Sequence, residues 1–148
     1  MTHPPDEQRL AERVVNAMMA HDAFSQWLGI EIIETAPRRS TCRMTVRAEM
    51  VNGFGVVHGG IAFSLADSAF AFACNSHGKV TVSIENSVTY PAPVRVGDVL
   101  TAIAKEDASS GRLSYYSAEV RNQHGEVVAL FRGTAFKTDR AHVEESRE

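Results

Sequence analysis

The sequence predicts an α+β domain in which a curved antiparallel sheet wraps around one long central helix. The first observation is a run of small and apolar residues, from about Gly59 to Asn75, which suits a buried helix and is too interrupted by polar residues to span a bilayer. The second is a set of six β-rich runs, two before this helix and four after it. A helix that is apolar on nearly all sides must be covered by the sheet around it.

The elements before the central helix are a helical segment and a hairpin. In residues 1–23 apolar side chains recur at helical spacing, which continues loosely until Gly29 ends it. Residues 30–48 form two strands joined by a turn, and the second strand alternates apolar with polar positions. The apolar set in that strand is Cys42, Met44 and Val46. One face of the strand is therefore predicted to be buried and the other exposed.

Four further strands follow the central helix, separated by short sequences typical of turns. They are predicted over residues 79–91, 97–109, 111–123 and 126–138. Residues 139–148 are charged, so we expect a disordered tail. The chain is thus predicted to hold one domain over residues 24–138, after the N-terminal helical segment.

Small side chains explain how the sheet can close around the central helix. Glycine, alanine and serine occupy more than half of its positions, which keeps the helix thin. Between them, Phe63, Phe70 and Phe72 are expected to fill the core. Phe54, Phe63 and Phe70 are equally compatible with a pocket for an aryl acyl group.

Composition excludes several classes of function. The chain has 148 residues, 44% of them hydrophobic, and a formal charge of −3, which is ordinary for a soluble domain and gives no basic field for nucleic acid or an anionic membrane. Its two cysteines are too few for a disulfide framework, and its first residues lack the pattern of a secretory signal. We therefore expect a cytoplasmic protein without nucleic-acid or membrane partners.

Familiar catalytic motifs fail when tested against the sequence. The stretch "GFGVVH" has a histidine where a dinucleotide fingerprint needs its third glycine, and no lysine follows Gly60 as a phosphate loop requires. There is no G-x-S-x-G elbow, Cys74 has no basic neighbour, and the six histidines lack metal-ligand spacing. Serine hydrolases, thiol enzymes and metal sites are therefore not indicated.

One carboxylate stands out, because Asp67 lies in the apolar helix with no Lys or Arg within one turn. A buried charge is costly unless it has partners or a function, so this residue is either a structural acid paired with a distant arginine or a catalytic group. At the start of the same helix, the backbone amides of Gly59 and Gly60 are donors without helical partners, at the positive end of the helix dipole. Such amides suit an oxygen that becomes negative during a reaction.

The spacing of these groups predicts a dimer. Asp67 lies eight residues after Gly59, or ~12 Å along the helix at the usual rise, so the two cannot contact one carbonyl group within one chain. In a two-fold dimer with antiparallel helices, Asp67 of one subunit lies opposite Gly59 of the other. Two composite sites would result.

These residues also carry a resemblance to a known family. The string "HGGIAFSLADSAFAFACNS", with Asn52 six residues before His58 and Asp67 nine after it, resembles the hotdog-fold acyl-CoA thioesterases. The strings "YPAPVRVGDVL" and "VALFRGTAFK" are similar to the PaaI thioesterases of phenylacetic acid degradation in particular. The resemblance covers about residues 24–137.

The resemblance implies a homodimer, usually paired into a homotetramer, that hydrolyses phenylacetyl-CoA, hydroxyphenylacetyl-CoA or related aryl and medium-chain acyl-CoA thioesters without metal or cofactor. In it, Asp67 matches the acid that attacks the thioester or activates water, and Gly59 matches the amide that polarises the carbonyl. Asn52 and His58 match polar residues beside that carbonyl and the water. The substrate-binding candidates that complete the set are Gly60, Ser68 and Phe54.

Other interpretations of the same residues stay open at this stage. His58 can be a helix cap and Asn52 a turn residue, because Asn-Gly is a common turn pair. None of the arginines or lysines is assigned to the CoA phosphates. A hotdog hydroxyacyl-thioester dehydratase and a noncatalytic acyl-CoA-binding protein are the alternative functions, distinguished by whether the protein releases free thiol, forms an enoyl product or does neither.

Overall fold

The computed structural model describes residues 5–143 and shows helices packed against an antiparallel sheet. Its helices are α1 (Pro5–His21), α2 (Ala23–Leu28) and α3 (Gly59–Asn75). Its strands are β1 (Glu31–Ala36), β2 (Arg39–Thr45), β3 (Lys79–Thr89), β4 (Val99–Ser110), β5 (Leu113–Arg121) and β6 (Val127–Ala141). The predicted order of elements and the α+β class are confirmed.

The six strands form one sheet in the order β1-β2-β4-β5-β6-β3, with every neighbouring pair antiparallel. The central helix α3 packs against β2, β3, β4, β5 and β6. The sheet therefore curves around the helix, and β1 and β3 form its two edges. In β2, Cys42 and Met44 are buried whereas Arg43 and Thr45 are exposed, as the alternation predicts.

The core forms where the small residues of α3 let the sheet approach. Phe70 and Phe72 are fully buried, and Phe63 is partly buried against the same core. The ring of Phe70 lies 5.4 Å from that of Tyr116 and 5.5 Å from that of Phe131. Burying each such phenylalanine stabilises the fold by about 1.5–3 kcal/mol. The three phenylalanines of α3 thus pack as core residues.

The N-terminal helical segment is broken in two. Asp22 separates α1 from α2 and caps α2, since its Oδ1 accepts a hydrogen bond of 2.9 Å from the Ser25 amide. The predicted end at Gly29 is confirmed, because this residue adopts the left-handed conformation (φ 77°) that favours glycine at a helix C-terminus.

In residues 5–143 no helix is both long and apolar enough to cross a membrane.

Strand β6 is longer than the sequence predicted. It continues to Ala141, so residues 139–141, assigned to the disordered tail, belong to the sheet. Ala141 pairs with Lys79 of β3, and Asp139 forms an ion pair with Arg112. Both contacts depend on the fold, so composition alone did not reveal them. The rest of the predicted tail, residues 144–148, lies outside the described residues.

Candidate active site

Asp67 lies in the middle of α3 and is half-buried. Its Oδ1 accepts a hydrogen bond of 3.3 Å from Nδ2 of Asn86 on β3, and among residues 5–143 no Lys or Arg forms an ion pair with it. Burial raises the pKa of Asp67, the Asn86 hydrogen bond opposes that rise, and the negative charge of Asp22 adds to it. The predicted structural alternative, an ion pair with a distant arginine, is therefore absent from the described part of the chain.

A chain of hydroxyl groups joins α2 to α3 beside this carboxylate. The Oδ2 atom of Asp22 lies 2.7 Å from Ser25 Oγ, which lies 2.8 Å from Ser68 Oγ. Ser25 and Ser68 are both buried. The structure thus places the Ser68 hydroxyl in a contact between helices, where it holds the N-terminal segment against α3, and not on an open surface beside Asp67.

At the start of α3, His58 caps the helix. Its Nδ1 accepts a hydrogen bond of 2.9 Å from the Gly60 amide, so the Gly60 amide is already occupied. A Cβ atom on residue 60 would lie only 2.9 Å from that same nitrogen, which explains the glycine. The Gly59 amide has no acceptor among residues 5–143, and Gly59 is exposed. Of the two predicted donors, only Gly59 is available to a ligand.

Tyr90 fixes the same end of α3, and the sequence did not reveal it. Its hydroxyl donates a hydrogen bond of 2.7 Å to the Gly59 carbonyl oxygen. A Cβ atom on residue 59 would meet the Tyr90 ring and hydroxyl at 3.4 Å. Gly59 is therefore held beside an aromatic ring, although the residue as a whole is exposed.

Asn52 shapes the loop that leads into α3. Its Oδ1 accepts hydrogen bonds from the backbone amides of Phe54, at 2.9 Å, and Val56, at 3.2 Å. The turn interpretation of Asn52 is thus correct, and only its Nδ2 remains for other partners. Phe54 stands at the tip of this loop with 93% of its surface exposed.

The predicted site residues therefore divide into two groups within one chain. Asn52, Phe54, His58, Gly59 and Gly60 lie together at the N-terminus of α3. Asp67 and Ser68 lie further along the helix, ~12 Å away by the helical rise. One chain thus carries a donor group and an acid that cannot reach the same atom.

Two other chemistries find little support. Burial raises the pKa of the Cys74 thiol to about 12, and the nearby Asp67 adds to the rise, so Cys74 is a protonated core residue and not a nucleophile. In residues 5–143 no group of three histidine, cysteine, aspartate or glutamate side chains is arranged to hold a metal ion.

Comparisons with known proteins agree with this architecture. The sequence pattern of the thioesterase superfamily matches residues 54–129. The chain is 41% identical to the acyl-coenzyme A thioesterase PaaI of Escherichia coli over 122 residues, which cover 82% of this chain and 87% of that protein. It is 30% identical to human acyl-coenzyme A thioesterase 13 over 125 residues, which cover 82% of this chain and 89% of that protein.

The solved structure of E. coli PaaI superposes on this chain with a TM-score of 0.87, covering 90% of this chain and 97% of the other at 38% identity. The chain belongs to the thioesterase superfamily and has the hotdog fold. The predicted class of enzyme, a thioester hydrolase, is confirmed.

Proposed function

We propose that this protein hydrolyses acyl-CoA thioesters whose acyl group is phenylacetyl, hydroxyphenylacetyl or a related aryl or medium-chain group. The observation that carries the proposal is that a backbone donor, the Gly59 amide, is free and that the half-buried carboxylate of Asp67 has no ion pair with a Lys or Arg, both among residues 5–143. Hydrolysis of a thioester needs a donor for the carbonyl oxygen and a base or nucleophile for the carbonyl carbon, and these two groups supply both.

In the proposed reaction the thioester oxygen accepts a hydrogen bond from the Gly59 amide, at the positive end of the α3 dipole. Asp67 removes a proton from a water molecule as that water attacks the carbonyl carbon. The C–S bond then breaks, the acid leaves with the water oxygen, and the proton passes to the CoA thiolate. In this proposal Asn52, through its Nδ2, and His58, through its Nε2, orient the thioester and the water.

The proposed site is composite, with Gly59 from one subunit and Asp67 from the other. The separation of ~12 Å along α3 requires a second chain. Strand β3 supports such an assembly, because it is an edge of the sheet and exposes Val82 and Ile84, with 46% and 57% of their surfaces accessible. Unpaired edge strands with apolar side chains favour pairing with another copy. We propose a homodimer of this kind that pairs into a homotetramer.

The acyl preference and the metabolic role rest on similarity. The E. coli relative in the structural comparison comes from a phenylacetic acid degradation operon, so we propose a role in phenylacetate catabolism. In the composite site, Phe54 at the loop tip of one subunit would accompany Gly59 toward Asp67 of the other and offer an aromatic wall to the acyl group. Cys42 and Cys74 are both free thiols, which suits a reducing compartment such as the cytoplasm.

The proposal is tested by incubating the purified protein with phenylacetyl-CoA, a medium-chain acyl-CoA and a 3-hydroxyacyl-CoA. We expect free CoA thiol from the first two, with the aryl substrate giving the higher kcat/KM. An enoyl product from the hydroxyacyl ester without thiol release would instead identify a dehydratase, and binding without either product would identify an acyl-CoA-binding protein.

The role of Asp67 as base is tested by single turnover in oxygen-18 water with enzyme in excess. A base mechanism places the label in the released acid and leaves Asp67 unlabelled. Nucleophilic attack forms a mixed anhydride, and water attack at the aspartyl carbon then labels Asp67 and leaves the first product unlabelled. Mass spectrometry of the Asp67 peptide would therefore contradict the base mechanism if it found the label there.

A further inference from the structure

A relay of two polar side chains on β3 ends at the Asp67 carboxylate. Ser83 Oγ donates a hydrogen bond of 2.9 Å to Oδ1 of Asn86, and Asn86 Nδ2 donates to Oδ1 of Asp67 at 3.3 Å. An ionised carboxylate only accepts hydrogen bonds, so it selects the amide nitrogen of Asn86, and the Ser83 hydroxyl donates to the carbonyl oxygen that is left. The relay thus fixes which end of Asn86 meets the carboxylate, and it leaves the other carboxylate oxygen, Oδ2, without a partner in residues 5–143.

An irregularity in β3 makes this relay possible. In a regular strand, residues three apart point to opposite faces of the sheet. The pairing of β3 with β6 shifts register between Ser83 and Glu85, which inserts one extra residue at Ile84. A bulge of this kind turns the side chains that follow it. Ser83 and Asn86 therefore lie on the same face and can bond to each other.

Strand β6 leaves room for the Asn86 carboxamide at the position opposite it. Asn86 pairs in register with Gly133, and a Cβ atom on residue 133 would lie 3.0 Å from Asn86 Oδ1 and 2.8 Å from the Phe70 ring. Any larger residue would push against both. Glycine at this strand position is otherwise unfavourable, so its presence is explained by the space that the carboxamide and the ring need.

The charges around Asp67 show why such a donor matters. Asp22, the N-cap of α2, is the acid that acts on it, and the Cys74 thiol on α3 is a second titratable group that interacts with it. Burial and Asp22 both oppose ionisation of Asp67, and the Asn86 amide is the contact that favours it. The relay is therefore the feature of the described residues that stabilises the reactive charged form.

We propose that Asn86 is a positioning residue for the reaction, held by Ser83, which orients Asp67 so that Oδ2 faces the water or the thioester carbon. This inference rests on the proposed role of Asp67 as base or nucleophile. At 3.3 Å this hydrogen bond is longer than a typical N–H···O bond, and contacts to catalytic groups often tighten when substrate binds. A misplaced acid loses rate even when it is present, and a displacement of 1 Å can cost about 100-fold.

The test compares Asn86→Ala, Asn86→Asp, Ser83→Ala and the control Ser87→Ala with the wild-type enzyme, using phenylacetyl-CoA as substrate. For each protein, the pH profiles of kcat and KM are measured, and the Asp67 carboxyl is titrated by ¹³C NMR, with Asp67→Asn to assign its signal. Ser87 is a matched control because it is another exposed polar residue on β3, one position beyond Asn86. It lines a different cavity, which it shares with Ile103 and Arg121.

We expect Asn86→Ala to lower kcat about 10-fold with KM nearly unchanged and to move the Asp67 titration and the acidic limb of kcat to higher pH. Asn86→Asp should lower kcat further, because it replaces the donor by a second negative charge. Ser83→Ala should shift both readouts in the same direction by less, and Ser87→Ala should shift neither.

An Asp67 titration in Asn86→Ala that coincides with that of the wild type would overturn the inference, and so would a kcat within about twofold of the wild type at pH values where Asp67 is fully ionised. These outcomes are distinct from failure of the proposed function. If Asp67→Asn hydrolysed the substrate at the wild-type rate, the role of Asp67 would be wrong, whereas the NMR titration would still report whether Asn86 contacts it.

Discussion

The two parts of α3 that carry the candidate site differ in almost every physical respect. At the N-terminus, Gly59 is exposed, uncharged and rigidly held, with Tyr90 on its carbonyl and the His58 cap beside it. In the middle of the helix, Asp67 is a half-buried acid. Burial and the charge of Asp22 raise its pKa, whereas the hydrogen bond from Asn86 lowers it. In the proposed mechanism the first region stabilises negative charge on the thioester oxygen, and the second supplies the carboxylate that acts as base.

In the proposed dimer, this difference lets each α3 helix contribute to two sites and complete neither alone. The proposed oxyanion donor lies at the N-terminus of the helix because only there are backbone amides free. An acid at the same end would be stabilised by those amides and become a weaker base, so it is better placed along the helix. Pairing two antiparallel helices brings the two kinds of region together.

The largest effect is expected from removing the acid. Asp67→Asn should lower kcat for phenylacetyl-CoA about 10³-fold or more, because the proposed mechanism then loses the group that takes the proton from the attacking water. The variant should also be at least as stable as the wild type at neutral pH. Burial raises the pKa of Asp67, so the ionised carboxylate lowers the free energy of unfolding. This loss of stability is fully present above the pKa of the folded state and absent below the pKa of the unfolded state, and Asp67→Asn removes it.

Thiol-release assays and thermal unfolding at pH 7 check both statements, with Asp139→Asn as the control for loss of an exposed acid. Asp139 is ion-paired to Arg112 away from α3, so this control should keep wild-type kcat. Wild-type turnover by Asp67→Asn at saturating substrate would refute its catalytic role.

The next largest effect is expected at the opposite region. Gly59→Val should lower kcat about 10²-fold, because its side chain meets the Tyr90 ring and displaces the donor amide from the carbonyl oxygen. Gly53→Val, in the loop where a Cβ atom meets nothing within 4 Å, is a control for a bulky change nearby. Steady-state kinetics on both variants give the comparison, and equal losses would argue against a specific donor at Gly59.

A smaller effect, on the pH dependence of activity, is expected from Asp22, the N-cap of α2. The proposed mechanism requires the Asp67 carboxylate, so activity should fall as pH decreases through a pKa that lies above the ordinary value for aspartate. Asp22→Asn removes a repelling charge and keeps a capping side chain, so the acidic limb should move to lower pH. A pH profile of kcat that moves the other way, or not at all, would show that the two carboxylates do not interact.

The smallest effect on catalysis is expected from Ser68. Its hydroxyl is buried against Ser25, so Ser68→Ala should destabilise the fold by about 1 kcal/mol while kcat stays within about twofold of the wild type. Urea unfolding and steady-state kinetics measure the two quantities. A large loss of kcat without loss of stability would restore Ser68 to the substrate site.

The sequence predicted the elements well because each had a local signal. The small apolar run of α3 and the alternating strands depend on residues close in the chain, and their order and approximate bounds were confirmed. The break at Asp22 and the extension of β6 to Ala141 were missed. The break depends on the hydrogen bond that Asp22 accepts from the Ser25 amide, and the extension depends on pairing with β3. Neither contact gives a signal in the local composition.

The site was predicted only in part for the same reason. Asp67 and Gly59 stand out as a charge in an apolar helix and as glycines at its start. Their partners Asn86, Asp22 and Tyr90 reach them through the fold, from positions 19, 45 and 31 residues away. For Asn86, even strand periodicity gives no signal, because the bulge at Ile84 changes which face it occupies.

The most direct test of the composite site is complementation between two inactive subunits. Asp67→Ala and Gly59→Val are purified separately, mixed in equal amounts and allowed to exchange subunits, with exchange proven by mass spectrometry of differently labelled chains. Half of the dimers are then heterodimers with one intact site of two, so activity should return to about a quarter of the wild-type value. Proven exchange with no return of activity would contradict the account, because it would place the donor and the acid of each site in the same chain.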